Sequence, residues 1–204
     1  MTKLYFVRHG LTTNNVKNAF NGSHSNPELL PEGREQARRL GQHLAQIPFT
    51  KAYVSPQIRA VETAQLVLGE NQQAQPRLDQ HELLREIDFG EWDGVPIALK
   101  EQDEQYINLK QYPHLYDPSS FGGESFTELV QRGQAFIQSL DFTTNESILV
   151  VGHGVTLMTI LQTLDNKEIH QLRDKGLLSN ASLSVVETAD GKQFKQTLWN
   201  FTVE

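Results

Sequence analysis

The sequence predicts an α/β protein, a three-layer α/β/α sandwich around a mostly parallel central sheet. Two observations predict it. The runs at 4–7 (LYFV) and 148–151 (ILVV) are wholly apolar, as strands buried on both faces are in parallel sheets. Strand-like and helix-like segments then alternate along most of the 204 residues, as crossover connections require. No internal repeat and no linker-like stretch divides the chain, and residues 1–204 fit one domain of ordinary length.

The elements follow in order. Residues 4–7 are the first strand. Residues 31–47 have helical spacing, with Ala37, Leu40, Leu44 and Ile47 on one stripe and Arg34, Glu35, Arg38 and Arg39 toward water. Residues 52–54 are a short strand. Ser55-Pro56 then has the form of a helix start, a serine cap with proline at the first helical position. That helix is expected to turn Ile58, Val61 and Leu66 inward and to end near Gly69. Residues 71–75 are a polar loop, 77–79 a short strand, and 113–123, rich in Pro, Ser, Asp and Gly, a loop. Helical spacing returns at 124–140, a strand at 148–151, and a helix at 155–164. Residues 181–187 and 194–201 read as an antiparallel hairpin closing around Ala189-Asp190-Gly191.

Composition narrows the function. Lys and Arg number 18 and Asp and Glu 25, a net charge of −7, which argues against nucleic acid and anionic membrane as main partners. There is no cysteine, so disulfides, thiolate chemistry and cysteine metal sites are excluded. The chain runs straight into a strand without a secretory pattern, and no apolar run approaches the ~18 residues of a membrane helix. A cytoplasmic location is expected. The sequence does not reveal the oligomeric state.

Three predicted strands end alike. The first runs into Arg8-His9-Gly10, the second into Ser55-Pro56 with Arg59 one turn on, the third into Gly152-His153-Gly154. Ligands of parallel α/β sheets sit beyond the carboxyl ends of strands. If these three are neighbours, Arg8, His9, Arg59 and His153 converge, and helix N-termini point at the same place. Gly10, Gly152 and Gly154 let the backbone approach a ligand closely. Turn glycines beside hydrogen-bonded histidines would explain any one of these ends. The pattern repeated three times favours a site for a small dianion, most simply a phosphoryl group.

These segments, with "SPQIRAVETA", "LLREIDFGEWDG" and "VVGHGV", resemble the histidine phosphatase superfamily, the phosphoglycerate mutase-like family, over nearly the whole chain. Arg8, His9, Gly10, Thr12 and Asn15 match its first motif. The resemblance implies that His9 is the nucleophile and becomes phosphohistidine. It implies that Arg8, Arg59 and His153 hold the phosphoryl oxygens, that Asn15 is a further donor, and that Glu86, four residues before Gly90, is the acid. Asn21-Gly22 falls where the family has a pair touching the substrate, and Thr12 and Gly154 belong to the matched motifs at the phosphate. "GGES" at 122–125 and "SNAS" at 179–182 recur in phosphatase members. Leu11 stands where the family often has Glu, and residues 23–30 depart from its usual pattern. Of the other histidines, those at 43, 81, 114 and 170 are expected at the surface, and His24 is a candidate for the pocket rim.

The chemistry requires these residue types. A phosphomonoester is attacked by a neutral imidazole, and Arg8 and Arg59 disfavour the protonated form of His9. His153 would donate either as a neutral tautomer or as an imidazolium. Glu86, protonated in the free site, would give its proton to the leaving alkoxide and later take one from water. Guanidinium groups supply the charge a divalent ion would bring, so no metal and no cofactor are implied. Residues 95–123 would form a lid or specificity insertion, in which Tyr106, Tyr112, Tyr116 and Phe121 either favour an apolar substrate or pack the lid. Within 95–121 only Lys100 and Lys110 are cationic, without the paired arginines of the family's mutases. A phosphatase acting on a small phosphorylated metabolite is therefore expected. The alternatives are a cofactor-dependent phosphoglycerate mutase and a non-catalytic phosphate-binding module.

Overall fold

The computed structural model of the chain describes residues 1–73, 76–142 and 145–204. Ala74 and Gln75, in the loop predicted at 71–75, lie outside the described residues. The sheet has six strands: β1 (Thr2–Arg8), β2 (Lys51–Val54), β3 (Leu78–Gln80), β4 (Ser147–Gly152), β5 (Leu183–Thr188) and β6 (Phe194–Phe201). Their spatial order is β3-β2-β4-β1-β5-β6. β1, β2, β3 and β4 run parallel, while β5 pairs antiparallel with β1 and with β6.

The helices are α1 (Thr13–Val16), α2 (Pro31–His43), α3 (Ile58–Gly69), α4 (Glu104–Gln111), α5 (Phe126–Gln138) and α6 (Gly154–Leu164). Strand alternation sends side chains to both faces. Leu4, Phe6, Ile148 and Val150 join the core under α5 and α6, whereas Tyr5, Val7, Leu149 and Val151 join the core under α2 and α3. That is the three-layer arrangement, and it explains why these two strands are apolar at every position.

The adjacency of β2, β4 and β1 places the site, because the three predicted strand ends lie side by side. Hydrogen bonds carry the pairing past the strands themselves. His9 N donates to Gly152 O at 3.0 Å, and Ser55 N to Val151 O at 3.0 Å.

Three expectations need correction. α3 does not start at Ser55-Pro56: its N-cap is Gln57, in extended backbone, and the Ser55 hydroxyl bonds His153 instead of capping a helix. Ile58 does not face inward and is exposed, because the later start puts Arg59, Ala60, Thr63, Ala64, Val67 and Leu68 on the buried side. The helix at 31–47 ends at His43, with residues 44–47 continuing in tighter turns. No element was expected at 104–111. α4 forms there with Asp103 as its cap, accepting from Gln105 N at 2.9 Å.

Candidate active site

Elementary hydrogen bonding fixes the state of His9. The side chain is buried, and Nδ1 lies 2.7 Å from Gly10 O. A carbonyl only accepts, so Nδ1 carries the proton and the lone pair is on Nε2. Burial, then Arg59 and Arg8, push its pKa well below the usual histidine range, against the opposing Gly10 bond. His153 is fully buried with its ring 5.2 Å from that of His9. Burial and Arg59 likewise push its pKa well down, which selects the neutral tautomer over the imidazolium. Its Nε2 lies 2.7 Å from Ser55 Oγ.

The cations are held from behind. Arg8 Nη1 donates to Leu178 O. Arg59 is fully buried, with Nη1 donating to Ser25 O at 2.7 Å and Nη2 to Asn21 O and Gly22 O at 3.1 Å each. Burial lowers the pKa of Arg59 to about 10, which leaves it charged. Arg8 Nε, Arg59 Nε and His153 Nδ1 are all buried with no hydrogen-bond partner among the described residues. Gly154 keeps one of them accessible: a Cβ there would lie 3.2 Å from Arg8 Nε.

Glu86 sits at the start of α6. Its Oε2 accepts from Val155 N at 3.0 Å, and its Oε1 from Thr156 N at 2.9 Å, Thr156 Oγ1 at 3.0 Å and Ile87 N at 2.9 Å. A helix N-terminus suits an anion there. Gln57 joins this segment to the arginine loop: its Oε1 accepts from Glu86 N at 2.9 Å and its Nε2 donates to Gly22 O at 2.9 Å and Ser25 O at 3.0 Å. The Asp93 carboxylate accepts from Gly22 N, His24 N and Ser25 N at 2.8, 2.7 and 2.8 Å, which fixes the same loop.

Arg8, His9, Asn15, Asn21 and Glu86 line one cavity of about 600 Å³. Asn15 Oδ1 is engaged by Thr12 N at 3.1 Å and Thr12 Oγ1 at 2.8 Å, which frees its amide nitrogen to donate inward. Thr12 caps α1 and is buried, and Gly22 gives its carbonyl to Arg59 and Gln57, so neither lines the cavity. His24 does not line it either: it is exposed and pairs with Asp88 at 2.9 Å. Of the aromatic residues expected in the lid, Tyr106 reaches the cavity, Tyr116 and Phe121 are buried in packing, and Tyr112 is exposed. Phe20, Phe89, Asn180 and Arg173 line it unexpectedly. Asn180 lies in the "SNAS" segment already noted. The polar stretch around Arg173 carries no local signal, because only folding brings it to the site.

Among the described residues no group of three or more His, Asp or Glu is arranged to hold a metal ion, and no helix is long and apolar enough to cross a membrane.

Comparison with known proteins bears on the family and the fold. The sequence pattern of the histidine phosphatase superfamily (branch 1) matches residues 4–202. A 2,3-bisphosphoglycerate-dependent phosphoglycerate mutase of Azorhizobium caulinodans is 32% identical over 187 residues, 88% of this chain and 89% of the relative. A broad-specificity phosphatase of Saccharomyces cerevisiae is 30% identical over 203 residues, 94% of this chain and 82% of the relative. The solved structure of YhfR from Bacillus stearothermophilus superposes with a TM-score of 0.89 at 32% identity, covering 100% of this chain and 98% of that one.

Proposed function

The chain belongs to the histidine phosphatase superfamily, and we propose that within it this enzyme is a phosphomonoesterase that passes the phosphoryl group through His9 to water. One observation carries the reading. Arg8 Nε, Arg59 Nε and His153 Nδ1 are buried, with no partner among the described residues, beside an imidazole whose Nε2 lone pair is available. Such groups suit the oxygens of a phosphoryl dianion.

In the first step His9 Nε2 attacks phosphorus. The P–O bond to the alcohol breaks, and the alkoxide takes a proton from Glu86. In the second step Glu86 accepts a proton from water, the resulting hydroxide attacks phosphorus, and the P–N bond breaks to free phosphate and the neutral imidazole. Gly10 O holds the Nδ1 proton throughout. Arg8 and Arg59 supply the positive charge, so the scheme uses no metal. Residues 1–204 act as one domain, and 95–123 act as its lid, with Ile97 and Tyr106 as cavity wall. Hydrolysis is favoured over the mutase reaction because 95–121 offer only Lys100 and Lys110, and Lys100 lies over the Trp92 ring, 4.9 Å from its centroid.

The test is acid quench during turnover of an aryl phosphate in EDTA, wild type beside His9→Ala. Wild type should release phosphate and carry acid-labile protein phosphate, and the folded variant should do neither. Wild-type rates from His9→Ala would remove the phosphohistidine. A folded wild type without turnover or phosphoenzyme would favour the binding module.

A further inference from the structure

Ser55 directly follows β2 and is fully buried, although it caps no helix. Among the described residues its Oγ has two hydrogen-bonding neighbours. Gln57 N donates to it at 3.4 Å, and Nε2 of His153 lies 2.7 Å away. A hydroxyl carries one proton, and a backbone N–H cannot accept it. Among the described residues His153 Nε2 is therefore the one acceptor open to the Ser55 proton.

The ring must then carry its own proton on the other nitrogen. Burial first, and then Arg59, His9 and Arg8, disfavour a second proton on His153, so the ring is neutral and holds either Nδ1–H or Nε2–H. The Nε2–H form would donate to Ser55 Oγ. It would leave the buried Ser55 O–H without an acceptor and Nδ1 as a buried lone pair without a donor. The Nδ1–H form leaves one group unmatched, the Nδ1–H itself, and burying fewer unpaired polar groups is favoured.

We infer that Ser55 is a positioning residue that holds His153 as its Nδ1–H tautomer, so that a neutral ring offers the phosphoryl oxygens a donor and not a lone pair. The inference rests on the phosphomonoesterase reading and deepens it. The two histidines of the site share one tautomer, set by opposite means. Gly10 O accepts the Nδ1 proton of His9, which leaves Nε2 free to attack. Ser55 donates to Nε2 of His153, which leaves Nδ1–H free to bind. With ring centroids 5.2 Å apart, one imidazole is thus a nucleophile and its neighbour a donor, and neither needs a charge.

Nitrogen-15 NMR of the histidine-labelled resting protein reads the tautomer, with His153→Gln identifying the signals. Wild-type His153 should carry its proton on Nδ1 and none on Nε2. In Ser55→Ala the Nε2–H form should appear, and affinity for inorganic phosphate should fall by about tenfold or more, the scale of one hydrogen bond to a charged group. Ser55→Thr keeps the hydroxyl and should keep the tautomer and part of the affinity. In Ser55→Ala, kcat/KM for phenyl phosphate and glycerol 3-phosphate should fall by the same factor, because the phosphoryl group and not the leaving group has lost a donor. A proton on Nε2 of wild-type His153 would overturn the inference. So would an unchanged tautomer or unchanged phosphate affinity in folded Ser55→Ala, or a loss confined to one ester. If Ser55→Ala does not fold, the wild-type spectrum alone decides. If wild type does not hydrolyse phenyl phosphate, the phosphomonoesterase reading fails, while the tautomer and phosphate affinity still decide the role of Ser55.

Discussion

His9 and His153 are neutral for the same reasons, burial first and the nearby arginines second. The sign of the stability effect follows. In the unfolded chain each takes up a proton near pH 6.5, whereas in the folded protein neither does until well below that. Below about pH 6.5 the unfolded state therefore binds more protons, and stability falls as pH falls, by up to about 1.4 kcal/mol per pH unit for each histidine. Above that pH the contribution is constant. Urea denaturation between pH 7.5 and 5 should show a shallower loss for His9→Gln than for wild type, by up to about 1.4 kcal/mol per pH unit. Parallel curves would mean that His9 is protonated in the folded protein. This neutrality was partly legible in the sequence, since Arg8 adjoins His9 and Arg59 follows a strand end. The tautomer was not, because it depends on one carbonyl, Gly10 O, and its direction. Ser55 shows the opposite failure. Its local pattern matches a helix cap, but a histidine 98 positions away takes its hydroxyl.

At the scale of elements, α2 presses its first turn against the backbone that follows His9. A Cβ on Gly33 would lie 2.3 Å from Leu11 O, and one on Gly10 would lie 2.4 Å from Gly33 O. Replacing glycine by alanine inside a helix ordinarily stabilises by up to about 1 kcal/mol. Here the overlap is with backbone that cannot rotate away, so Gly33→Ala should destabilise by about 1–3 kcal/mol and slow turnover by moving the residues next to His9. At Gly69, the last residue of α3, a Cβ would meet nothing within 4 Å among the described residues, so Gly69→Ala should be neutral or stabilising by up to about 1 kcal/mol. Denaturant titration of the two variants distinguishes these cases, and similar effects at both positions would contradict the packing account. The elements flanking these glycines were visible in the sequence because apolar spacing marks them. α4 was not visible, with Asn108 and Leu109 as its buried residues and no apolar stripe. Its place is set by packing against the turn at Pro113–Leu115 and by Asn108 donating to Leu115 O at 3.1 Å.

Over the whole molecule, positive charge is scarce and concentrated. A chain of net charge −7 places Arg8 and Arg59 close to His9, Arg8 in the cavity wall and Arg59 fully buried, and adds Arg173 to the same wall. The first two were legible because they adjoin strand ends. Arg173 was not, because a polar segment far along the chain is folded back onto the site. This distribution bears on the fate of the phosphoryl group. A mutase must keep its bisphosphorylated intermediate bound while phosphate moves between oxygens, which requires cations for a second phosphoryl group and exclusion of water. The cavity is about 600 Å³, room for water beside a small alcohol. Water should therefore reach the phosphoenzyme before the alcohol returns in a second orientation. A barrier difference of about 1.4 kcal/mol already favours one fate tenfold. With 3-phosphoglycerate as substrate, phosphate release should exceed formation of 2-phosphoglycerate by about tenfold or more, and 2,3-bisphosphoglycerate should not stimulate isomerisation. Following both products in one reaction by phosphorus NMR decides the matter, because isomerisation that outpaces release and responds to the bisphosphate would make the enzyme a mutase.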